Sequence, residues 1–182
     1  MSYENAKANL KEFGKELNLE LQFDENHTCI LGIDNTFSLH LTYEPHSDRL
    51  YLYSPILDGL PKDTTNRLKL YESLLEGSML GGQMAGGGIG VAVNEELILM
   101  HCVLEMGIGA DPSSLRRFAP IFVEAVERWR KRAKDLSEGR EPQDDGKGPG
   151  GPGGPGGQGR LPHQMPPTGP ATGKPGQPFI KI

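Results

Sequence analysis

Hydrophobic residues along this chain change period several times, and each change marks a new element. Ala6, Leu10, Phe13 and Leu17 recur at spacings of four, three and four with charged residues between them, predicting an amphipathic opening helix. After Leu19 the period falls to two. Thr28 to Ile33 is an apolar run, Asp34-Asn35 reads as a turn, and Phe37, Leu39, Leu41 and Tyr43 alternate with Ser38, His40 and Thr42. Leu50-Tyr51-Leu52-Tyr53 resumes the alternation beyond the turn residues Glu44 to Asp48, so three strands form a meander. Asp58-Gly59-Leu60-Pro61 stops the third strand. Asp63 or Thr64 then caps a second helix running to about Met79, with Leu68, Tyr71, Leu74 and Leu75 as its apolar face.

A glycine cluster follows, and beyond it Ile89, Val91 and Val93, the turn Asn94-Glu95-Glu96 and the apolar run Leu97 to Leu104 predict a second hairpin. Asp111, followed by Pro112 at the first helical position, opens a long final helix marked by Leu115, Phe118, Phe122, Ala125, Trp129 and Leu136. The predicted order is αβββαββα, an α+β fold whose five-stranded antiparallel sheet packs on helices. The first and last helices suffice to cover one sheet face. The middle helix, the other sheet face and the tyrosines Tyr51 and Tyr53 are then left as apolar surface for a second copy or a bound peptide.

Composition divides the chain in two. Residues 138–182 hold 13 Gly and 10 Pro, a low-complexity tail that cannot bury a core, and residues 1–137 form the one expected domain. That domain carries 14 basic and 20 acidic residues, a net charge of −6, which excludes nucleic acid as an electrostatic partner. The apolar runs are too short to cross a membrane. Residues 2–17 interleave lysine with glutamate where a secretion signal would be apolar, so a cytosolic placement is expected. Within the tail, Pro149, Pro152 and Pro155 at every third position offer an alternative role, a scaffold whose Pro-rich strand is read by a partner domain.

Candidate chemistry is sparse. The run from Gly81 to Gly90 lacks both G-x-G-x-x-G and a following Lys-Ser or Lys-Thr, and lies between a helix and a strand, so it predicts close backbone approach rather than a phosphate loop. His27 with Cys29, and His101 with Cys102, have the atom types of a metal site or thiol nucleophile without the usual spacing. Glu44, His46 and Asp48 alternate inside a turn with no nucleophile near them. No enzyme activity, cofactor or metal is expected. The basic run Glu127 to Arg132 around Trp129, with Lys134, predicts cations complementing a helix C-terminus or, alternatively, a site for an acidic partner.

The helix Leu68 to Leu80 ending in glycine, the hairpin Gly90 to Leu99 and the closing helix Phe122 to Arg130 together resemble the class I type III secretion chaperones of the Tir-chaperone kind. The strings Ser38 to Glu44, Leu74 to Gly88 and Leu97 to Leu104 are similar to members that serve several cargoes. This resemblance implies a non-catalytic bacterial cytosolic homodimer. Such a protein binds the N-terminal segment of secreted effectors, keeps it non-globular and delivers it to the export ATPase or sorting platform. Carried over by position, it implies cargo contacts at Leu10, Phe23, Ile30, Ile33, Tyr51 and Tyr53. Dimer contacts are implied at Leu70, Leu74, Met79, Met84, Ile89 and Val91.

Overall fold

The computed structural model describes residues 1–142; the Gly/Pro-rich segment from 143 onward, with its Pro149-Pro152-Pro155 repeat, lies outside the described residues. The elements follow the order expected: α1 (Ser2–Leu17), β1 (Thr28–Ile33), β2 (Phe37–Glu44), β3 (Arg49–Asp58), α2 (Thr64–Ser78), β4 (Gly88–Ala92), β5 (Leu97–Glu105) and α3 (Ser114–Ser137). All five strands join one antiparallel sheet in the order β1-β2-β3-β5-β4, which leaves β1 and β4 as its edges.

Turn chemistry sets the register. Asp34 and Asn35 both adopt left-handed φ, and the Thr36 N–H donates to the Ile33 carbonyl, closing the first hairpin. With that register Cys29, Leu41, Leu52 and Cys102 stand on one face of the sheet, joined there by Leu31, Leu39, Leu50 and Met100. These side chains are buried under α1 and α3. On the opposite face stand Ile30, His40, Tyr53 and His101 in one row and Thr28, Thr42, Tyr51 and Val103 in the next, and among the described residues no helix covers them.

The start of α3 departs from the sequence expectation. The helix begins at Ser114 rather than at Pro112, and Ser113, its N-cap, makes no side-chain cap bond. Its first turn is held from another element, because the Oδ1 of Asn9 on α1 accepts the Leu115 N–H at 3.0 Å while Asn9 Nδ2 donates to the Asp111 carbonyl at 3.1 Å. Asn9 is fully buried, so each of these bonds is made without competition from water. Replacing it by leucine strands a buried N–H and a partly buried carbonyl, and Asn9→Leu is expected to lower the unfolding free energy by about 2 kcal/mol. Urea denaturation with an unchanged slope reads this directly; an unshifted midpoint would show that the cap contributes nothing.

The glycine cluster behaves as close-approach backbone. Gly81 has φ +68°, and a Cβ there would meet the Gly86 backbone at 2.7 Å. A Cβ on Gly87 would lie 2.0 Å from the His101 carbonyl oxygen, so this residue must be glycine for the chain to enter β4 alongside β5.

Candidate functional site

α1 is short of apolar surface on one flank, and the chain that follows it supplies the missing wall. Asn18 ends the helix in a left-handed conformation, Leu19 returns its N–H to the Gly14 carbonyl, and residues 19–23 run back along the helix. Gly14 permits this return, since a Cβ there would sit 2.6 Å from the Leu19 carbonyl oxygen. Between helix and returning chain lies a groove of ≈ 780 Å³. Leu10, Leu19, Leu21 and Phe23 provide its apolar surface, and Lys7, Lys11 and Lys15 stand along its helix side. One end is closed by aromatic rings, with Tyr3 5.9 Å from Phe23, 5.2 Å from Tyr43 and 4.8 Å from the His27 ring.

The free edge of β1 is a second binding feature. Tyr43 donates its N–H to the His27 carbonyl, and the antiparallel alternation from that bond turns the N–H and C=O of Thr28, Ile30 and Gly32 away from β2. Asp24 occupies the Thr28 position, donating its N–H to the Thr28 carbonyl and accepting the Thr28 N–H on Oδ1. Ile30 and Gly32 are left facing outward with no backbone partner on that side among the described residues. Two backbone groups of each kind are thus presented to an incoming strand.

On the uncovered sheet face, polar and aromatic groups alternate. Thr28 and Thr42 hydroxyls lie 2.9 Å apart, Thr42 meets the Tyr53 hydroxyl at 3.3 Å, and the Tyr53 ring stacks on His40 at 4.9 Å. Ile30 is the exposed aliphatic member of this row.

A third surface is built by α2, whose apolar residues occupy two opposite stripes. Leu70, Leu74 and Gly77 are buried against α3 and the sheet, whereas Leu68, Leu75 and Met79 point outward. The helix then ends in a single 3₁₀ turn, Met79–Gly81, in which Leu80 takes φ +54° with its side chain 99 % exposed. Val91 and Val93 at and beyond the β4 edge are exposed as well.

The expected cargo residues therefore separate into groups. Leu10 and Phe23 meet in the groove, although Leu10 is only 1 % exposed and serves as floor as well as core. Ile30, Tyr51 and Tyr53 lie on the uncovered sheet face, and Ile33 packs against the core at the end of β1. Of the expected dimer residues, Leu70, Leu74 and Met84 are wholly inside the protomer, which corrects their assignment to a surface. Ile89 also leans on the core, while Met79 and Val91 are outward. The sequence reading missed Leu19 and Leu21, whose alternation with Glu20 and Gln22 was a usable signal, and the lysine row at every fourth position of α1.

The residues with reactive side chains do not assemble. Among the described residues no three His, Cys, Asp or Glu side chains are grouped to hold a metal ion. Glu44 accepts the His46 backbone N–H and Asp48 accepts the Tyr43 hydroxyl, so both carboxylates build the β2–β3 turn. Cys29 and Cys102 are free thiols on the core face. Burial pushes the Cys102 thiol from 9.0 up to about 12. It is therefore protonated at neutral pH and a poor nucleophile. The unfolded chain ionises at the lower pH, so stability contributed by this thiol is intact below about pH 9 and is lost as pH rises toward 12. In native protein at pH 8, iodoacetamide should label neither cysteine until denaturant is added; rapid native labelling of Cys102 would contradict its burial.

Three arginines of the basic run in α3 make contacts within the protomer. Arg128 donates to the Gln83 carbonyl, Arg130 to the Pro55 and Thr36 carbonyls, and Arg132 to the Ser73 hydroxyl. These contacts tie α3 to α2, the glycine loop, β3 and the first hairpin turn, and Lys134 stands in the last turn of the helix.

Comparison with known proteins decides the family. The sequence profile of the Tir chaperone protein (CesT) family matches residues 8–130. The chain belongs to that family. Three solved structures share its fold. A chain of the HopA1-SchA chaperone-effector complex is 24 % identical with a TM-score of 0.54, covering 69 % of this chain and 93 % of its own. For the ExsC-ExsE complex the figures are 14 % identity, TM-score 0.56, and coverage of 71 % and 93 %. For the Yersinia pestis type III secretion chaperone SycH in complex with a stable fragment of YscM2 they are 17 %, 0.50, and 67 % and 97 %. No curated protein matches the sequence. The residues matched by the family include the edge of β1 and most of the groove lining, from Leu10 to Phe23.

Proposed function

We propose that this CesT-family protein is a type III secretion chaperone that binds the N-terminal segments of effectors in extended form, without catalysis, in a bacterial cytoplasm. The observation that carries the reading is the groove of ≈ 780 Å³ beside α1, lying in the same family domain as the unpaired edge of β1. An unfolded effector segment loses conformational entropy on binding, and strand addition with apolar side chains in a groove returns backbone hydrogen bonds and buried area against that loss. Backbone bonds carry little sequence information, so one such site serves several effectors. Membership of the family supports this reading, as do the three fold relatives, all of them protein complexes, one described as a chaperone-effector complex and another as a type III secretion chaperone with a bound protein fragment.

The protein acts as a homodimer through the outward stripe of α2 and the β4 edge, and it hands its cargo to the export ATPase or sorting platform. The residues beyond 137 are Gly/Pro-rich and are not needed for this binding. The test is co-expression of the full chain with tagged N-terminal segments of secreted effectors from the same cell. Wild-type protein should co-purify with more than one of them, and Phe23→Asp, at a half-buried groove position, should lose them while keeping its thermal transition. Retention of no effector segment by the wild-type chain would sink the reading.

A further inference from the structure

The groove has a charge opposite to that of the protein around it. Residues 1–137 carry a net charge of −6, yet Lys7, Lys11 and Lys15 line the groove against a single carboxylate, Glu20. Lys7 and Lys15 meet Glu4 and Glu12 on their own helix at 2.7 and 2.5 Å, in exposed pairs of the kind that exchange partners readily. Lys11 makes no direct ion pair among the described residues, and its charge helps hold the Glu12 carboxyl below the usual range, after the larger effect of Lys15.

Geometry narrows the occupant further. Residues four apart on a helix rise about 6 Å, and alternate side chains of an extended chain repeat at about 6.8 Å. Three carboxylates at alternate positions of a strand laid along α1 therefore fall opposite the three lysines, and the long lysine stems absorb the small mismatch. The intervening side chains point the other way, toward Leu19, Leu21 and Phe23, where an acidic group would meet Glu20 instead.

We infer that the groove selects extended peptides in which acidic and apolar residues alternate; this rests on the reading of the groove as the cargo site. A nucleic acid is a poorer match, because its continuous negative charge would extend past three lysines onto an acidic surface. The lysine row thus sets which segments are accepted, while the apolar wall and the β1 edge supply sequence-tolerant binding.

The test uses the full chain and two labelled peptides with the same Leu, Ile and Val positions, one with Glu and one with Gln at the alternate sites. Fluorescence anisotropy at low salt should show the Glu peptide binding about tenfold tighter, the sum of three modest exposed pairs. High salt should erase that difference. In the variant Lys7→Gln, Lys11→Gln, Lys15→Gln, whose side chains are at the surface, the two peptides should bind alike, with the thermal transition unchanged. Equal binding of both peptides to wild-type protein overturns the charge selection and leaves the groove as a cargo site. A preference that survives in the triple variant overturns the assignment to these lysines. Tighter binding of a peptide matching Phe179-Ile180-Lys181-Ile182 would make the chain's own C-terminus the occupant. Failure of every peptide to bind removes the groove as a cargo site and with it the reading on which the inference rests.

Discussion

Trp129→Ala is expected to cost about 3–5 kcal/mol of stability, the range for removing a buried large aromatic, because the indole is where α3, α2 and the glycine loop meet. It is 1 % exposed. Its Nε1–H donates to the Gln83 carbonyl at 3.0 Å, fastening the loop that leads into β4. Its six-membered ring lies so close to Gly77 of α2 that a Cβ there would approach Cζ2 at 2.1 Å. The Arg132 guanidinium stands 5.2 Å above the ring. Truncation therefore opens a cavity, leaves the Gln83 carbonyl with Arg128 as its remaining side-chain donor and releases α2 together.

A mutant cycle separates this account from a general loss of core volume. Gly77→Ala alone forces backbone or indole to move and is destabilising, whereas in the Trp129→Ala background the added methyl enters the space just vacated. The second substitution should then be neutral or favourable, giving a coupling above about 1 kcal/mol. Denaturation of the four proteins measures it. Additive effects would mean that the α2–α3 contact is not made through this pair.

Much of this fold is legible in the sequence because hydrophobic period reports the element and turn residues report its limits. The three-strand meander, the second hairpin and, apart from its first turn, the final helix lie where alternation and spacing place them. Period does not report which side of an element finds a neighbour. Leu68, Tyr71, Leu74 and Leu75 were read as one apolar face of α2, but Leu74 joins Leu70 in the core while Leu68 and Leu75 face outward. An element that is apolar on two sides has no single stripe to read. Charge is similarly ambiguous: Arg130 looks like a surface cation in the sequence, yet it donates to carbonyls of β3 and of the first hairpin turn. Asn9 was silent for a related reason, since a cap supplied across more than a hundred residues leaves no local motif. In the groove, Phe23 and Leu10 were found by family position, whereas the lysine row was taken for ordinary polar spacing.

The largest change in assembly is expected from Leu75→Glu combined with Leu80→Glu. Leu75 is 65 % exposed, and Leu80 is held in left-handed φ at the end of α2 with no packing of its own. Left-handed backbone costs a non-glycine residue on the order of 1–2 kcal/mol, and nothing in the protomer offsets that cost through the Leu80 side chain. A second copy that covers Leu75, Met79 and Leu80 together with the β4 edge would. Interface anchors are worth about 2 kcal/mol or more each, so two charges at this seam should raise the dimer dissociation constant more than a hundredfold. Light scattering on a sizing column would then give the protomer mass where the wild-type chain, as the proposed homodimer, is expected to give twice that, with the thermal transition of the protomer retained. Leu74→Glu provides the contrast: one residue before Leu75 but fully buried, it should unfold the chain rather than split the pair. If the double variant keeps the dimer mass, the seam lies elsewhere. If the wild-type chain is itself monomeric, the outward stripe of α2 is a surface for some other partner, and the strained Leu80 turn is shaped for that partner instead.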